Sequence, residues 1–572
     1  MCGISGILKF TNKKIQKSEI DKSIISIQHR GPDSQNFWLD NDKKTLLINT
    51  RLAILDISKK GNQPLFSKDK RYIIVFNGEI YNFKELKEEL LSDFFFYTNT
   101  DTEVLLNLFI KYKENCLEKL NGMFSFAIFD KIEKKLFIAR DPFGIKPLYY
   151  HIDENQFLFS SEIKTFFSLG IKKKINTRSL SSYLTSEYFE NIEKTFYEGI
   201  LKLKPGHFLE IKNNKINIKK YFNFEQKLRK IYIPQKENEK EKYFEYLIKK
   251  SIKLSMASDV PISIAASGGL DSSILQYEAL KINKNLKLVS WDFREENFSE
   301  KLYTNKISKI TKIKTKFALF TKENFIKNIN NLVKLNEEPF SGTPIAAYHF
   351  MLKTINKNKV ILDASGRDED HGGYLKYYKK KLKNYRSLSQ DGSDSVNKKI
   401  LNNDFFLKNP NYDDELTITN SLKNNMYNDL FFLKLPRALR FRDKISMSVG
   451  QELRPSFLNA ELILSLFKLK KKDHFRFNKT KFLLRKIYQK KITDEIAFED
   501  KRNIQTPQTQ WLTEDLLDWV NEILQKSYIW ELNIYNKKEF FLNLNNFKSI
   551  GLKNSFFIWK AINIHFLFKE II

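Results

Sequence analysis

At 572 residues the chain is too long for one ordinary core and divides into two or more domains. With 42% hydrophobic and 14% aromatic residues it is not wholesale disordered, and no apolar run is long enough to span a bilayer. The formal charge of +30 comes from lysines scattered among Ile, Asn and Phe, without the aromatic interleaving of a single-strand binder, so no specific nucleic-acid partner is expected.

The N-terminus, Met1-Cys2-Gly3-Ile4, lacks the basic region and long apolar stretch of a signal peptide. Cys2 and Cys116 alone make no disulfide framework, so a cytoplasmic chain with no membrane association is expected. If Met1 is removed, Cys2 carries a thiol and a free α-amine, a nucleophile and its base in one residue. The alternative is an incidental cysteine in a frayed terminus.

The first two hundred residues read mainly as β structure. Ser18-Glu19-Ile20-Asp21 has the form of a capping box, with Ile20, Ile24 and Ile27 at helical spacing and Arg30-Gly31-Pro32-Asp33 as the stop. Strand-like runs follow at 45–49, 53–57, 72–76, 124–129, 136–139 and 157–160, with a helix near 102–112. Asn77-Gly78 reads either as a hairpin turn or as an oxyanion hole from the Asn amide and the Gly N–H. Residues 212–240 read as a polar, basic connector, and a helix is expected to begin near Tyr243.

The second half alternates apolar strands with helices, the pattern of a parallel α/β domain. An apolar run at 260–266 leads into Ser267-Gly268-Gly269-Leu270-Asp271-Ser272-Ser273 and then a helical pattern. Glycines let backbone N–H groups approach an anion, and the helix start adds its dipole, so this loop suits pyrophosphate. The plainer alternative is a turn with Ser as helix cap. A later strand, Val360-Ile361-Leu362, opens a second loop, Asp363 to Tyr374, whose Asp368-Glu369 also reads as an acidic helix start. An Asp from each loop would share one Mg²⁺ with pyrophosphate oxygens. Residues 379–425 are polar and irregular, either a mobile cover over the site or an insertion.

Two resemblances draw these segments together. Cys2-Gly3-Ile4, His29-Arg30-Gly31-Pro32-Asp33, Arg51-Leu52, Gln63-Pro64, Phe76-Asn77-Gly78-Glu79-Ile80-Tyr81-Asn82, Thr100-Asp101-Thr102-Glu103 and Arg140-Asp141-Pro142-Phe143-Gly144 occur in the order found in N-terminal-nucleophile glutamine amidotransferase domains. The resemblance covers about 2–211 and implies an αββα sandwich of antiparallel sheets. It implies Cys2 as nucleophile, Asn77 and Gly78 as oxyanion donors, and Arg51, Glu79 and Asp101 as holders of the glutamine head group. Residues 241 to about 535 resemble the ATP-pyrophosphatase synthetase domain of glutamine-hydrolysing asparagine synthetases, a doubly wound parallel α/β domain with added helices, within a second unit expected to span 241–572. The match continues through Leu435-Pro436-Arg437, Asp443-Lys444-Ile445-Ser446-Met447, Glu452-Leu453-Arg454-Pro455 and Lys501-Arg502.

That second resemblance implies ATP and Mg²⁺ as cofactors. Ala266, Ser267, Gly268, Gly269, Asp271, Ser272, Trp291, Asp363 and Ala364 would meet nucleotide or pyrophosphate, Asp271 and Asp368 the metal, and Lys501 would be catalytic. The implied substrates are glutamine, ATP and a carboxylate, with aspartate to asparagine the leading reaction; a homodimer is an open expectation. The second loop departs from the family pattern, with Ser365 where a Glu is usual and Arg367 where a small Ala is usual. A different carboxylate such as a sugar acid, or a non-catalytic scaffold, therefore stands as an alternative.

Overall fold

The period-two alternation of the first strands sets the architecture of the N-terminal half. In the computed structural model, which describes residues 2–186, 193–378, 397–410, 421–500, 506–552 and 554–571, two six-stranded antiparallel sheets stack there. The first is built from β1 (Cys2–Lys9), β2 (Ser34–Leu39), β3 (Thr45–Arg51) and, further along the chain, β8 (Tyr149–Ile152), β9 (Gln156–Ser160) and β10 (Leu201–Lys202), in the order β10-β8-β9-β1-β3-β2. The second comprises β4 (Leu65–Phe66), β5 (Tyr72–Ile80), β6 (Gly122–Asp130), β7 (Lys135–Arg140), β11 (His207–Lys212) and β12 (Lys215–Lys220), in the order β12-β11-β7-β6-β5-β4. Along β5, Ile73 and Val75 face the other sheet with Ile4, Leu47 and Phe157. Ile74 and Phe76 turn the opposite way, onto Leu105 and Leu108 of the helix Asp101–Tyr112. The outer face of the first sheet, with Ile7, Ile48 and Leu158, is covered by the helix Lys17–Ile27. The result is the expected αββα sandwich.

Three local expectations differ. Residues 53–57 form no strand, because their backbone groups are taken by side chains. Ala53 N–H donates to Asp33 Oδ2 at 2.7 Å, and the Leu55 and Asp56 carbonyls accept from Arg51 at 3.1 and 2.5 Å. Asn77-Gly78 is no turn: it lies inside β5, paired with Ser125 and Phe124 of β6. The first helix begins at Lys17, with Glu19 Oε2 accepting from Gln16 N–H at 2.8 Å, two residues earlier than the serine cap implies. Within 212–240 the chain is also more ordered than a linker. Lys215–Lys220 is the edge strand β12, Phe224 packs on Phe431 and Phe467, and the next helix begins at Glu237.

In the second half β13 (Ile262–Ala265), β14 (Lys287–Asp292), β15 (Thr315–Leu319), β16 (Val360–Asp363) and β17 (Glu452–Pro455) form an all-parallel sheet in the order β15-β14-β13-β16-β17. The chain winds outward from β13 in one direction and returns to its other side with β16. That reversal opens a crevice beyond the carboxyl ends of β13 and β16, where ligands of doubly wound sheets bind. Of the stretch 379–425, residues 379–396 and 411–420 lie outside the described residues. The helix Phe556–Lys569 is almost wholly buried; its Lys560 Nζ donates to the Leu184 and Ser186 carbonyls, and its Trp559 Nε1 to Phe340 O. Among the described residues no helix is long and apolar enough to cross a membrane.

The two halves meet across a buried ionic network. Arg30, beside β1, pairs with Glu162 at 2.6 Å and with Asp443 of the helix Lys434–Met447 at 2.9 Å. Lys444 pairs with Glu162 at 2.6 Å and with Glu337, whose carboxylate also accepts from the Ile163 and Lys164 N–H groups at 2.8 Å. Burial opposes the Lys444 charge, but Glu162 and Glu337 outweigh it and raise its pKa. Lys444→Met would leave both carboxylates buried without this cation. It is expected to destabilise the protein by about 3–5 kcal/mol in urea unfolding, whereas a cost below about 1 kcal/mol would show that the network contributes little.

Candidate functional site

The first pocket lies where β1 and β5 come side by side between the sheets. Cys2 stands on the inter-sheet face of β1 with Ile4, and its N–H donates to Asn77 Oδ1 at 3.2 Å. The Asn77 amide nitrogen reaches Ser125 Oγ at 3.5 Å, and Arg30 Nε donates to Cys2 O at 3.2 Å. Gly78 is required by close approach: a Cβ there would stand 2.1 Å from Met123 O and 2.7 Å from Phe124 Cα. Cys2, Arg51, Gly78, Glu79 and Asp101 line one small pocket, so five positions spread over a hundred residues converge.

Charge in this pocket is finely opposed. Burial pushes the Cys2 thiol up, while the Leu52 N–H and the Arg51 charge pull it down. Burial also raises Glu79, with Glu452 and Asp101 adding like charge and Arg454 opposing them. Asp101 is raised by burial against the hydrogen bond that Ile80 N–H donates to its Oδ2 at 2.9 Å. Arg51 holds the 55–62 loop over the pocket, donating to the Ser58, Leu55 and Asp56 carbonyls and to Asn62 Oδ1.

The second pocket is a cavity of about 310 Å³ in the crevice between β13 and β16. Ala266, Ser267, Gly268, Gly269, Asp271, Ser272, Trp291, Asp363, Ala364 and Asp368 all line it. Ser272 Oγ accepts from Ser267 N–H at 2.8 Å and from Gln276 Nε2 at 3.0 Å, which curls the loop back over its helix. A Cβ at Gly268 would fall 1.9 Å from Tyr303 Cβ, so only glycine fits this bend. A Glu300 carboxylate oxygen stands 3.4 Å from Gly268 N–H, so this backbone donor already faces an anionic oxygen.

Lys481 is the principal group that local spacing does not reveal. Its Nζ bridges Asp271 and Asp368, 2.7 Å from the latter, across the two loops. Burial works against its charge, yet the two carboxylates hold its pKa above the ordinary value. Asp271 Oδ1 is buried and makes no hydrogen bond among the described residues. Two facing carboxylates beside a phosphate-type loop suit a hard divalent cation that completes its shell with phosphate oxygens and water, so Asp271 and Asp368 fit Mg²⁺.

On the far wall Asp363 pairs with Arg442 at 2.8 Å and accepts from Ser365 N–H at 2.7 Å. Arg367 turns into the protein, pairing with Asp370 at 3.0 Å and lying over the Phe457 ring. Glu369 accepts from Tyr374 O–H at 2.7 Å, and Lys434 Nζ lies 3.6 Å from the centre of the Tyr374 ring. Lys501 lies outside the described residues. Arg442 and Lys434 escape sequence reasoning because both sit in a helix more than sixty residues beyond the loop they face.

A thiol pocket between antiparallel sheets, joined to a glycine-rich anion loop on a parallel sheet, defines a glutamine-dependent amidotransferase coupled to an ATP-using synthetase. Residues 1–222 match the family model described as a glutamine amidotransferase domain, and residues 244–549 match the model described as asparagine synthase. The chain belongs to the family of glutamine-hydrolysing asparagine synthetases. It is 28% identical to asparagine synthetase [glutamine-hydrolyzing] 1 of Bacillus subtilis over 99% of this chain and 97% of that one. It is 34% identical to putative asparagine synthetase [glutamine-hydrolyzing] 2 of Methanocaldococcus jannaschii, over 66% of this chain and 76% of that one. Asparagine synthetase [glutamine-hydrolyzing] 3 of Bacillus subtilis is 27% identical over 91% and 90% of the two chains.

Removing the cation between Asp271 and Asp368 should damage nucleotide chemistry selectively. Lys481→Met is expected to lower ATP–pyrophosphate exchange by about 100-fold or more, with glutamine hydrolysis changed less than about threefold. Exchange within about twofold of the parent would remove Lys481 from the site.

Proposed function

We propose that the chain hydrolyses glutamine in its first half and uses the nitrogen to amidate a carboxylate that ATP activates in its second half. In this reading residues 2–211, extended by the edge strand β12 that pairs with them, are the amidotransferase unit, the remainder of 212–240 is the connector and 241–572 the synthetase unit. The observation that carries it is the convergence of Cys2, Arg51, Gly78, Glu79 and Asp101 on one pocket, in the same chain as the Ser267–Ser272 loop cavity.

Met1 removal exposes the Cys2 α-amine, which takes the thiol proton as Sγ attacks the glutamine side-chain carbonyl carbon. The Asn77 amide and the Gly78 N–H stabilise the oxyanion, and its collapse expels ammonia and leaves a thioester. Water then attacks the thioester, releasing glutamate and restoring the thiol. Arg51 suits the glutamine α-carboxylate, and Glu79 and Asp101 suit its α-ammonium.

In the second cavity the backbones of Ala266, Trp291, Asp363 and Ala364 suit the adenine end of ATP, and the Ser267–Ser272 loop suits the leaving pyrophosphate. Asp271 and Asp368 would hold Mg²⁺, which when bound neutralises phosphate charge. The acceptor carboxylate attacks the α-phosphorus, pyrophosphate leaves, and ammonia displaces AMP from the acyl-adenylate to give the amide. Lys501 and Lys481 are suited to offset charge on the phosphate groups. Ammonia passes between the pockets inside the protein, because in water near neutral pH most of it becomes non-nucleophilic ammonium.

Aspartate is the leading acceptor, giving asparagine. A second acceptor class, such as a sugar acid, is favoured by one observation. The position of the family's usual Glu is Ser365, whose hydroxyl and N–H are both tied to Asp363, while Asp363 is also paired with Arg442. Product identification by mass spectrometry with amide-labelled glutamine, ATP and a panel of carboxylates separates the two. Labelled asparagine supports aspartate; exchange of pyrophosphate into ATP only with another acid overturns it. Cys2→Ala is expected to reduce glutamine-driven amide formation at least about 1000-fold while ammonia-driven formation persists within about threefold.

A further inference from the structure

The pocket that holds Cys2 is not closed by the first half of the chain alone. Arg454, on the outermost strand β17 of the parallel sheet, places Nη2 3.0 Å from Glu79 Oε1. The guanidinium is fully buried and anchored from its own side. Its Nε pairs with Glu452, and its Nη1 donates to the Ser255 and Ala257 carbonyls at 2.9 and 2.5 Å. The one edge that crosses to the other half is the edge that meets Glu79.

The same strand reaches the other pocket. Pro455 pairs with Asp363 in the β16–β17 ladder, and Ser456 N–H donates to Asp363 O at 3.0 Å. Asp363 lines the nucleotide cavity. Within residues 454–456, therefore, a side chain touches one site and the main chain touches the other.

Glu79, Asp101 and Glu452 bring three carboxylates into one buried region: burial raises Glu79 and Asp101 with Glu452 adding like charge, while Arg454 holds Glu452 down at about 2 against its burial. An ammonium ligand needs a carboxylate that is both ionised and correctly aimed. Arg454 supplies a fixed cation on the side of Glu79 that belongs to the synthetase half.

We propose that Arg454 is a positioning residue for glutamine, lent by the synthetase half to the amidotransferase pocket, which holds the Glu79 carboxylate where the α-ammonium of the substrate meets it. This rests on the glutamine reading of that pocket.

The test uses the full chain, with glutamine hydrolysis and ammonia-driven amide formation measured side by side. Arg454→Gln is expected to raise the KM for glutamine about tenfold or more while kcat for hydrolysis changes less than about threefold. Arg454→Lys is expected to recover part of the loss, and ammonia-driven synthesis to stay within about threefold in both. An unchanged KM in Arg454→Gln, or equal loss of both activities in the two variants, overturns the proposal. If Arg454→Gln does not yield folded protein, Glu452→Gln decides. It keeps the Arg454 hydrogen bonds to Ser255 and Ala257 and the ion pair with Glu79 but removes a competing carboxylate, so the glutamine KM is expected to fall at least about threefold, and an unmoved or raised KM again overturns the proposal. Parent protein that releases no glutamate at all would sink the pocket's reading and this proposal with it; parent hydrolysis with an insensitive KM sinks this proposal alone.

Discussion

The buried pairing of Arg30 with Glu162 and Asp443 is the contact on which the arrangement of both pockets depends. Its guanidinium also donates to the carbonyl of Cys2, so the Cys2 backbone and the helix Lys434–Met447 share one cation. That helix carries Lys444 into the same network and, on its other face, Arg442 into the wall of the second cavity and Lys434 onto the Tyr374 ring behind it. Charges this deep are costly to bury unless geometry and hydrogen bonds satisfy them. Once satisfied, they admit few alternative dockings, because any slip strands a carboxylate without its cation.

The pockets solve opposite electrostatic problems by similar means. Around Cys2, the thiol and carboxylates must be able to carry charge in a dry setting, and Arg51 and Arg454 favour those anions. Around the glycine loop, paired carboxylates would repel each other before any ligand arrives, and Lys481 bridges them. In both places a cation from a distant element pairs with buried or half-buried acidic groups. The glycines answer a different constraint. Gly78 and Gly268 occur where a neighbouring backbone or side chain leaves no room for a Cβ.

Much of this was legible in the chain because it is local. The Ser-Gly-Gly loop follows an apolar strand and opens a helix, and that order alone places it at the carboxyl end of β13. Cys2, Asn77 and Asp101 declare themselves through neighbouring residues in recognisable runs. The groups that escaped are those whose meaning is tertiary: Lys481 meets Asp271 across a sequence separation of 210. Residues 53–57 differ for a related reason. Their apolar run is strand-like, but Asp33, Arg51 and Asp259 take the hydrogen bonds that a ladder would need. Asn77-Gly78 likewise has hairpin composition, and only its pairing with Ser125 and Phe124 shows that the chain runs straight through it.

The helix Phe556–Lys569 bears on how such a protein is made. Its Lys560 caps the carbonyl of Leu184 across a separation of 376 residues. At a ribosomal pace of about 5–20 residues per second, that partner emerges roughly 20–75 s after Leu184 does. Over that interval the nascent sandwich carries an apolar flank, with Phe196 and Leu184 in the cluster that this helix later covers. A newborn chain of this design therefore spends that interval with an apolar flank bare, closed only when its last helix leaves the ribosome.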